Sequence, residues 1–165
     1  MNSGLYRPWL LEQESLTKRL KAHTKNFAVQ PLLQNRLRLT VYETYLLGLV
    51  SHQHHLHREV MLMDGNIPLV FAHSVLPEKS LHGDWQSLGR LGNQPLGAAL
   101  FSNPRIVRTP LQFRKIGKSH SLYRQATKYL PQLPAALWAR RSIFKLNGER
   151  AIMVTEVFLP SVLDL

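Results

Sequence analysis

Alternation of apolar and polar side chains predicts two antiparallel hairpins in this chain. In LHREVMLMDGNIPLVFAHSVL two apolar runs flank Asp64-Gly65, a dipeptide that suits a tight turn because both of its residues tolerate positive φ. In RRSIFKLNGERAIMVTEVFL the runs flank Asn147-Gly148, which is an even stronger turn signal. Residues 27–50 are also rich in strand-forming side chains and predict two strands, although 45–50 could be helical, and RIVRTPLQFRKIG predicts a further strand-like segment.

Helical spacing of apolar residues interrupts the strands and predicts three helices. One covers residues 8–22, with Pro8 in its first turn, and a second follows Leu81, Trp85, Leu88 and Leu91 to a cap at Gly92. Pro95 opens a third, short helix, and 118–135 is a polar connection with one or two helical turns. This order predicts one α+β domain over 1–165, a single antiparallel β-sheet built from hairpins with helices inserted and packed on it.

Composition and charge restrict the partner and the cellular location that we expect for this protein. The net charge of +11 comes from 21 scattered Lys and Arg, without a basic run or stripe, which favours an acidic small molecule over nucleic acid as the partner. The N-terminus does not resemble a secretory signal, and no apolar stretch is long enough for a membrane span. Together with the absence of cysteine, these features predict a cytoplasmic protein without stable membrane insertion.

Glu156 is a candidate site residue because it lies in AIMVTEVFL, a run that is apolar on both faces. Burial of a carboxylate is costly unless it is paired. Counting back from an Asn147-Gly148 turn places Ala139 opposite Glu156 and Arg141 diagonal to it on the same face. Glu156 is therefore either one half of a buried ion pair with Arg141 or a ligand-binding or catalytic group.

Arg58 presents the same question with the opposite charge. Alternation in LHREVML places it with Leu56 and Val60 on an inward face. It could pair with an internal carboxylate, extend to the sheet edge, or bind an anion. Together, Arg58 and Glu156 describe a pocket with a cationic end, an acceptor end and an apolar middle, which suits a small aromatic or cyclohexadiene carboxylate.

Four histidines crowd into SHQHHLHREV and raise the question of a metal. The sequence has no HExxH motif and no cysteine, and strand alternation separates His55 and His57 from His52 and His54. We therefore predict a solvated loop that leads into a strand, and no metal site.

The residues described so far resemble the chorismate pyruvate-lyase family. The resemblance begins with LLEQESLTKRL and continues through LHREVMLMDG and LGRLGNQPLGAALF to LWARRSIFKLNGERAIMVTEVFLP. Only the extreme N-terminus and 118–135 look unlike the family, and the TE-x-FLP ending is the most diagnostic piece.

The resemblance implies a site and an activity. In that family Arg58 would bind the ring carboxylate through two parallel hydrogen bonds, and Glu156 would meet the 4-substituent. Leu16 and Leu96 match positions that line the pocket. The implied protein is a cofactor-independent enzyme, a monomer, which converts chorismate into 4-hydroxybenzoate and pyruvate for ubiquinone synthesis.

His73 departs from the family pattern, which typically has an arginine there. With a turn at Asp64-Gly65, Phe71 would face Arg58 and His73 would lie diagonal to Arg58 on the same face, unless a bulge moves it away. We therefore predict that His73 is a weaker, pH-dependent partner for the enolpyruvyl carboxylate. The alternative to an enzyme is a non-enzymatic domain that binds an aromatic carboxylate effector, because ligand-sensing domains of bacterial repressors share this fold.

Overall fold

One seven-stranded antiparallel sheet organises the protein and confirms the predicted α+β class. The computed structural model describes residues 3–49, 52–82, 86, 88, 90–130, 132–146 and 149–165. The strand order is β1-β2-β3-β7-β6-β4, and β5 also pairs with β6. The strands are β1 Phe27–Arg38, β2 His54–Asp64, β3 Ile67–Leu76, β4 Ile106–Arg108, β5 Gln112–Gly117, β6 Ala136–Leu146 and β7 Glu149–Phe158.

The described part of the chain contains five short α-helices, which lie before β1 or between strands. Two of them replace the single N-terminal helix predicted over 8–22, because residues 11–15 break it. Ser15 caps the second of these helices by accepting a hydrogen bond from the backbone N–H of Lys18, and Pro8 lies inside the first rather than in its first turn. The helices are α1 Ser3–Leu10, α2 Leu16–His23, α3 Val41–Leu47, α4 Leu96–Ser102 and α5 Ser121–Thr127.

The segment 27–50 forms one strand and one helix rather than two strands. Thr40 and Glu43 form a reciprocal capping box that starts α3, and Gly48 ends it with a φ of 59°. Helix α4 begins directly after Pro95, as its sequence predicts. The helix predicted around Leu81 to Leu91 lies partly outside the described residues, namely at 83–85, 87 and 89. Leu81 ends a 3-10 helix, Glu78–Leu81, and residues 86, 88 and 90 also have 3-10 geometry.

The two faces of the sheet carry different helices, and each has its own core. Helices α1, α2 and α4 cover the face that contains Val60, Ala72 and Phe158. Helices α3 and α5 cover the opposite face, where Val75 and Val157 are buried. We call these the α4 face and the α3 face.

Irregular pairing in both hairpins shifts the strand register away from the predicted one. The β2–β3 turn consists of residues 65 and 66, because Asp64 pairs with Ile67, and a further irregularity follows between Leu62 and Met63. In the β6–β7 hairpin the register shifts between Phe144 and Leu146, while the Asn147-Gly148 turn lies outside the described residues. Residues on the two sides of each turn therefore meet different partners from those that regular hairpins predict.

None of the helices in the described part of the chain has the length and apolar character that a membrane crossing requires.

Candidate active site

Arg58 and Glu156 both lie on the α4 face, each with the neighbours that alternation along its own strand predicts. Cross-strand pairing forms one row of Arg58, Ser74 and Val154, and the next row contains Ala72 and Glu156. Standard strand dimensions then separate the Cα atoms of Arg58 and Glu156 by roughly 12 Å, with two strand spacings in one direction and two residues in the other. The two charged groups therefore stand at opposite ends of one pocket, whose lining includes both.

Arg58 is a buried cation, with a side chain 3% exposed. Its Nη2 donates to the backbone carbonyl oxygens of Gly92 and Gln94 at 3.0 and 2.8 Å, whereas its Nε has no hydrogen-bond partner among the described residues. No carboxylate in the described part of the chain lies within ion-pair distance of it. Burial lowers the pKa of Arg58, which is the sign of a cation without an anion beside it.

Glu156 pairs with Arg140, and the predicted pair with Arg141 is wrong. The register shift places Arg140 directly opposite Glu156, and its Nε donates to Glu156 Oε2 at 2.5 Å. Arg141 points to the α3 face, where it donates to Tyr42 Oη and to the side-chain oxygen of Gln112. One extra residue near the turn moves each side chain of β6 by one position against β7, so the neighbouring arginine becomes the partner.

Arg140 also connects the pocket to the N-terminal helices. Its Nη1 donates to the backbone carbonyls of Trp9 and Glu12 at 3.0 and 2.8 Å, and its side chain is 1% exposed. The guanidinium thus orients the Glu156 carboxylate and ties the end of α1 to the sheet. The sequence contains no signal for this role, since Arg140 and Arg141 are adjacent and only the register tells them apart.

Arg108 is a second cation at the pocket wall that the sequence analysis missed. Its Nε donates to Ser142 Oγ at 3.0 Å, and its guanidinium carbon lies 5.5 and 5.6 Å from the ring centres of Phe101 and Phe144. Burial and the nearby positive charge of Arg140 lower the pKa of Arg108, while Glu156 acts in the opposite direction. Arg108 therefore contributes positive charge at the Glu156 end.

Leu16 and Leu96 line the pocket where two helices begin. Leu16 is the first residue of α2 and Leu96 the first of α4, and both side chains are buried. The helices touch there, because a Cβ on Gly97 would lie 3.4 Å from Thr17 Oγ1. The cap residue of α4, Pro95, makes no side-chain hydrogen bond, so the first N–H groups of that helix can reach a ligand oxygen.

The pocket is tightly closed. Its free volume is about 40 Å³, whereas pockets for small organic ligands usually measure about 300 to 1,000 Å³. A ring-sized molecule therefore fits only if part of the wall moves. The wall consists of Leu16, Thr17, Arg58, Val60, Leu62, Ala72, Ser74, Pro95, Leu96, Gly97, Leu100, Phe101, Arg108, Arg140, Ser142, Phe144, Val154 and Glu156.

His73 does not share this face, and its predicted position beside Arg58 is wrong. The shifted hairpin pairs His73 with Glu59 and Arg58 with Ser74, so His73 lies on the α3 face. There Nε2 of His73 is 3.1 Å from Glu43 Oε1, and Nδ1 is 3.4 Å from Glu59 Oε1. The sheet separates His73 from the pocket, and it cannot contact a ligand held there.

The His73 environment also contains the one group of His, Cys, Asp and Glu side chains in the described residues that is spaced for a metal ion. It consists of Glu43, His57 and His73. The pocket on the α4 face has no such group among the described residues, and its polar lining consists of arginine, carboxylate and hydroxyl side chains.

The family model for chorismate lyase matches residues 2–164 of the chain. The chain belongs to the chorismate lyase family. Relatives named "Probable chorismate pyruvate-lyase" include one from Methylobacillus flagellatus, 48% identical over 97% of this chain and 89% of the relative, and one from Nitrosomonas eutropha, 46% identical over 94% and 87%.

Solved structures with the same fold belong to proteins with little sequence similarity to this chain. The C-terminal domain of PhnF has a TM-score of 0.64 at 14% identity and covers 86% of this chain and 87% of that one. The effector domain of PhnF from Mycobacterium smegmatis has a TM-score of 0.63 at 14% identity and covers 92% and 91%. A GntR-family regulator from Enterococcus faecalis V583 reaches 0.59 at 14% identity and covers 82% and 92%. These similarities establish the fold alone.

Proposed function

We propose that this chain is a chorismate pyruvate-lyase, which converts chorismate into 4-hydroxybenzoate and pyruvate without a cofactor. Membership in the chorismate lyase family and the names of its relatives support this activity. The observation that carries the proposal is the buried guanidinium of Arg58, which has an unpartnered Nε and faces a pocket that ends at Glu156. A buried cation of this kind needs an anionic ligand.

In the proposed complex Arg58 binds the ring carboxylate. A carboxylate can accept hydrogen bonds from two N–H groups of one guanidinium, and the first backbone N–H groups of α4 can add a further donor. The ring then lies between the side chains of Leu16 and Leu96. This arrangement places the other end of the ring, which carries the oxygen substituents, at Glu156.

Arg108, rather than His73, is the proposed partner of the enolpyruvyl carboxylate. It lies on the correct face, at the Glu156 end of the pocket, and the rings of Phe101 and Phe144 position its guanidinium. Chorismate carries two carboxylates, so two separate cations match its charge. Arg140 is less suited to this role, because its charge is already paired with Glu156, whereas Arg108 has no ion pair with a carboxylate among the described residues.

The reaction breaks the ether bond between ring C3 and the enolpyruvyl oxygen. The hydrogen on C4 leaves the ring, which becomes aromatic, and the enol methylene gains a hydrogen to become the methyl group of pyruvate. The pocket contributes by holding the enolpyruvyl group of the substrate over the ring and by excluding water. Glu156, oriented by Arg140, accepts a hydrogen bond from the 4-hydroxyl group and stabilises the positive charge that develops as the ether bond breaks.

Three finer features belong to the same proposal. We infer that the protein acts as a monomer in the cytoplasm and that its 4-hydroxybenzoate supplies ubiquinone synthesis. The resemblance to the family supports all three.

The direct test is to incubate the purified protein with chorismate and to measure both products. We expect 4-hydroxybenzoate and pyruvate in equal amounts, with no added metal or cofactor. If the protein binds 4-hydroxybenzoate but releases no pyruvate from chorismate, the effector-binding alternative replaces the lyase.

Two substitutions test the assigned ends of the pocket. Glu156→Gln should lower kcat by about 10²-fold or more while product affinity changes less, because its main role is in the transition state. Arg58→Ala should lose both turnover and product binding. Arg7→Ala removes an exposed arginine of α1 and should leave both unchanged. Equal effects of Arg58→Ala and Arg7→Ala would contradict the assignment.

A further inference from the structure

A cluster of metal-ligand side chains lies on the α3 face, away from the proposed chorismate pocket. Glu43 from α3, His57 from β2 and His73 from β3 each offer one donor atom, and these atoms all lie within 4.8 Å of one another. All three residues are buried. Three separate elements therefore converge on one point with two imidazoles and one carboxylate.

Glu43 is oriented so that one carboxylate oxygen faces the cluster. Its Oε2 accepts hydrogen bonds from the backbone N–H and the hydroxyl group of Thr40, both at 2.8 Å. Its Oε1 lies 3.1 Å from His73 Nε2. The capping box of α3 thus holds the carboxylate in place and leaves Oε1 as a ligand atom.

His73 has a carboxylate behind it on the side away from the cluster. Its Nδ1 lies 3.4 Å from Glu59 Oε1, and Glu59 in turn accepts a hydrogen bond from Tyr129 Oη at 3.1 Å. Metal-bound histidines usually donate their second ring N–H to such a carboxylate, which fixes the tautomer and directs the other nitrogen toward the metal. Glu59, which accepts the hydrogen bond from Tyr129, lies on that side of His73 at ion-pair distance. A small shift would complete the arrangement, because Nδ1 makes no hydrogen bond to the described residues in the present geometry.

His57 is the member that an ion pair does not explain. Its side chain is 4% exposed, its Nε2 has no hydrogen-bond partner among the described residues, and its ring centre lies 5.4 Å from that of His73 in an edge-on contact. The ion pairs of His73 with Glu43 and Glu59 do not involve it. An unpartnered buried imidazole is costly, and a metal ion would use its free nitrogen.

We propose that Glu43, His57 and His73 bind a divalent metal ion of the zinc type, with Glu59 as the carboxylate that orients His73. Two imidazole nitrogens and one carboxylate oxygen are a common ligand set for Zn²⁺. Bond lengths of about 2.0–2.2 Å place tetrahedral ligands about 3.3–3.6 Å apart. The spacing of the three donors, 3.1 Å for one pair and up to 4.8 Å within the set, requires only small side-chain shifts.

The fourth position of this ion would face solvent. Glu43, His57 and His73 line an open cavity of about 790 Å³ between the sheet and helices α3 and α5. A water molecule can complete the coordination there, and the ion has a path of entry. Because the sheet lies between this cavity and Arg58, the metal is independent of the lyase reaction.

The test uses the full chain, stripped of metal with a chelator and titrated calorimetrically with ZnCl₂. We expect one high-affinity ion per chain, and Co²⁺ in its place should give visible absorption bands typical of four or five ligands. His57→Gln and His73→Gln should each weaken Zn²⁺ binding by about 100-fold or more. Glu59→Gln, which removes only the orienting carboxylate, should weaken it by about 10- to 100-fold.

His54→Gln is the matched control, because His54 is an exposed histidine of the same strand. It should bind Zn²⁺ as the wild type does. If the wild type does not bind Zn²⁺, the proposal is overturned and the cluster is a buried ion pair. Zn²⁺ binding that persists in both His57→Gln and His73→Gln also overturns the proposal. Anomalous scattering from Zn²⁺-soaked wild-type crystals decides the question even if a variant fails to fold, since a peak away from the three ligands also overturns it.

Discussion

At the residue scale, two adjacent arginines of β6 have different surroundings and should contribute differently to the free energy of unfolding. Arg140 is buried and binds Glu156 together with backbone carbonyls of the N-terminal segment. Arg141 reaches Tyr42 and Gln112 at a more exposed position on the opposite face. The pair thus offers a comparison in which the residue type is constant while burial and hydrogen-bond partners change.

We expect Arg140→Met to lower the free energy of unfolding by about 3 kcal/mol or more, because it leaves Glu156 without its partner and frees buried carbonyls. Arg141→Met should cost about 1 kcal/mol or less, as is usual for exposed polar contacts. Urea unfolding followed by circular dichroism measures both. Similar losses in the two variants would refute the assigned roles.

The second carboxylate of chorismate allows a similar comparison between Arg108 and His73. Arg108→Gln should raise KM and lower kcat/KM by about 10- to 100-fold, as expected for loss of a charged hydrogen bond. His73→Asn should leave kcat/KM within about threefold of the wild type per folded molecule, because His73 lies on the α3 face. Steady-state kinetics with chorismate measure kcat/KM for both variants. A larger loss in His73→Asn than in Arg108→Gln would show that His73 contacts the substrate.

At the element scale, helix α3 is attached to the sheet by ionisable groups. Burial alone would raise the pKa of Glu43, but hydrogen bonds from His73 and Thr40 lower it to about 2. Burial alone would lower the pKa of His73, yet Glu43 and Glu59 raise it above its usual value. Burial lowers the pKa of the neighbouring His57. Burial alone would raise the pKa of Glu59, but the interactions with His73 and Tyr129 lower it below its usual value.

These shifts predict how the attachment of α3 depends on pH. The Glu43 contribution is present above its unfolded pKa of 4.5 and is lost as the pH falls toward 2. The His73 contribution is complete below 6.5 and is lost as the pH rises through its raised folded pKa. The stabilisation is therefore largest between about pH 4.5 and 6.5.

Glu43→Gln should remove this stabilisation, by on the order of 3 kcal/mol at pH 5.5 and by less at pH 3 or pH 9. Urea unfolding in a chelator-containing buffer measures it without a contribution from metal. Glu14→Gln, which alters an exposed pair with Lys18, should change stability by less than about 1 kcal/mol at every pH. A pH-independent loss in Glu43→Gln would show that charge does not hold α3.

At the scale of the whole molecule, the closed pocket couples catalysis to movement of its wall. The free volume of about 40 Å³ cannot take the substrate, so α2, α4 or the segment before α4 must move for entry and exit. Product held by buried Arg58 should leave slowly. We expect release, rather than bond breaking, to limit the steady-state rate.

Rapid-quench measurements should then give a burst of 4-hydroxybenzoate of about one molecule per chain, followed by slower turnover. Leu100→Ala, in the pocket wall, should shorten the slow phase. Leu137→Ala is the control, because Leu137 is equally buried but packs on the α3 face. A linear time course from the first turnover would mean that chemistry is limiting.

The sequence alone determined which side chains face inward and which family supplies the activity. Arg58 shares a strand face with Leu56 and Val60, and Glu156 shares one with Val154 and Phe158, because side chains alternate along each strand, and this property depends only on the local run of residues. The helix after Pro95 and the caps at Ser15 and Thr40 are local in the same sense. These features required no knowledge of distant parts of the chain.

Only the tertiary structure decided which residues meet. The irregular pairing in each hairpin changes the partner of each residue beyond it, so Arg140 replaces Arg141 and His73 moves away from Arg58. The grouping of Glu43 with His57 and His73 joins a helix to two strands, and no spacing in the sequence expresses it. One irregularity in a hairpin shifts the pairing of every residue beyond it, and packing brings distant segments together. Neither effect can be derived from the periodicity of a single segment.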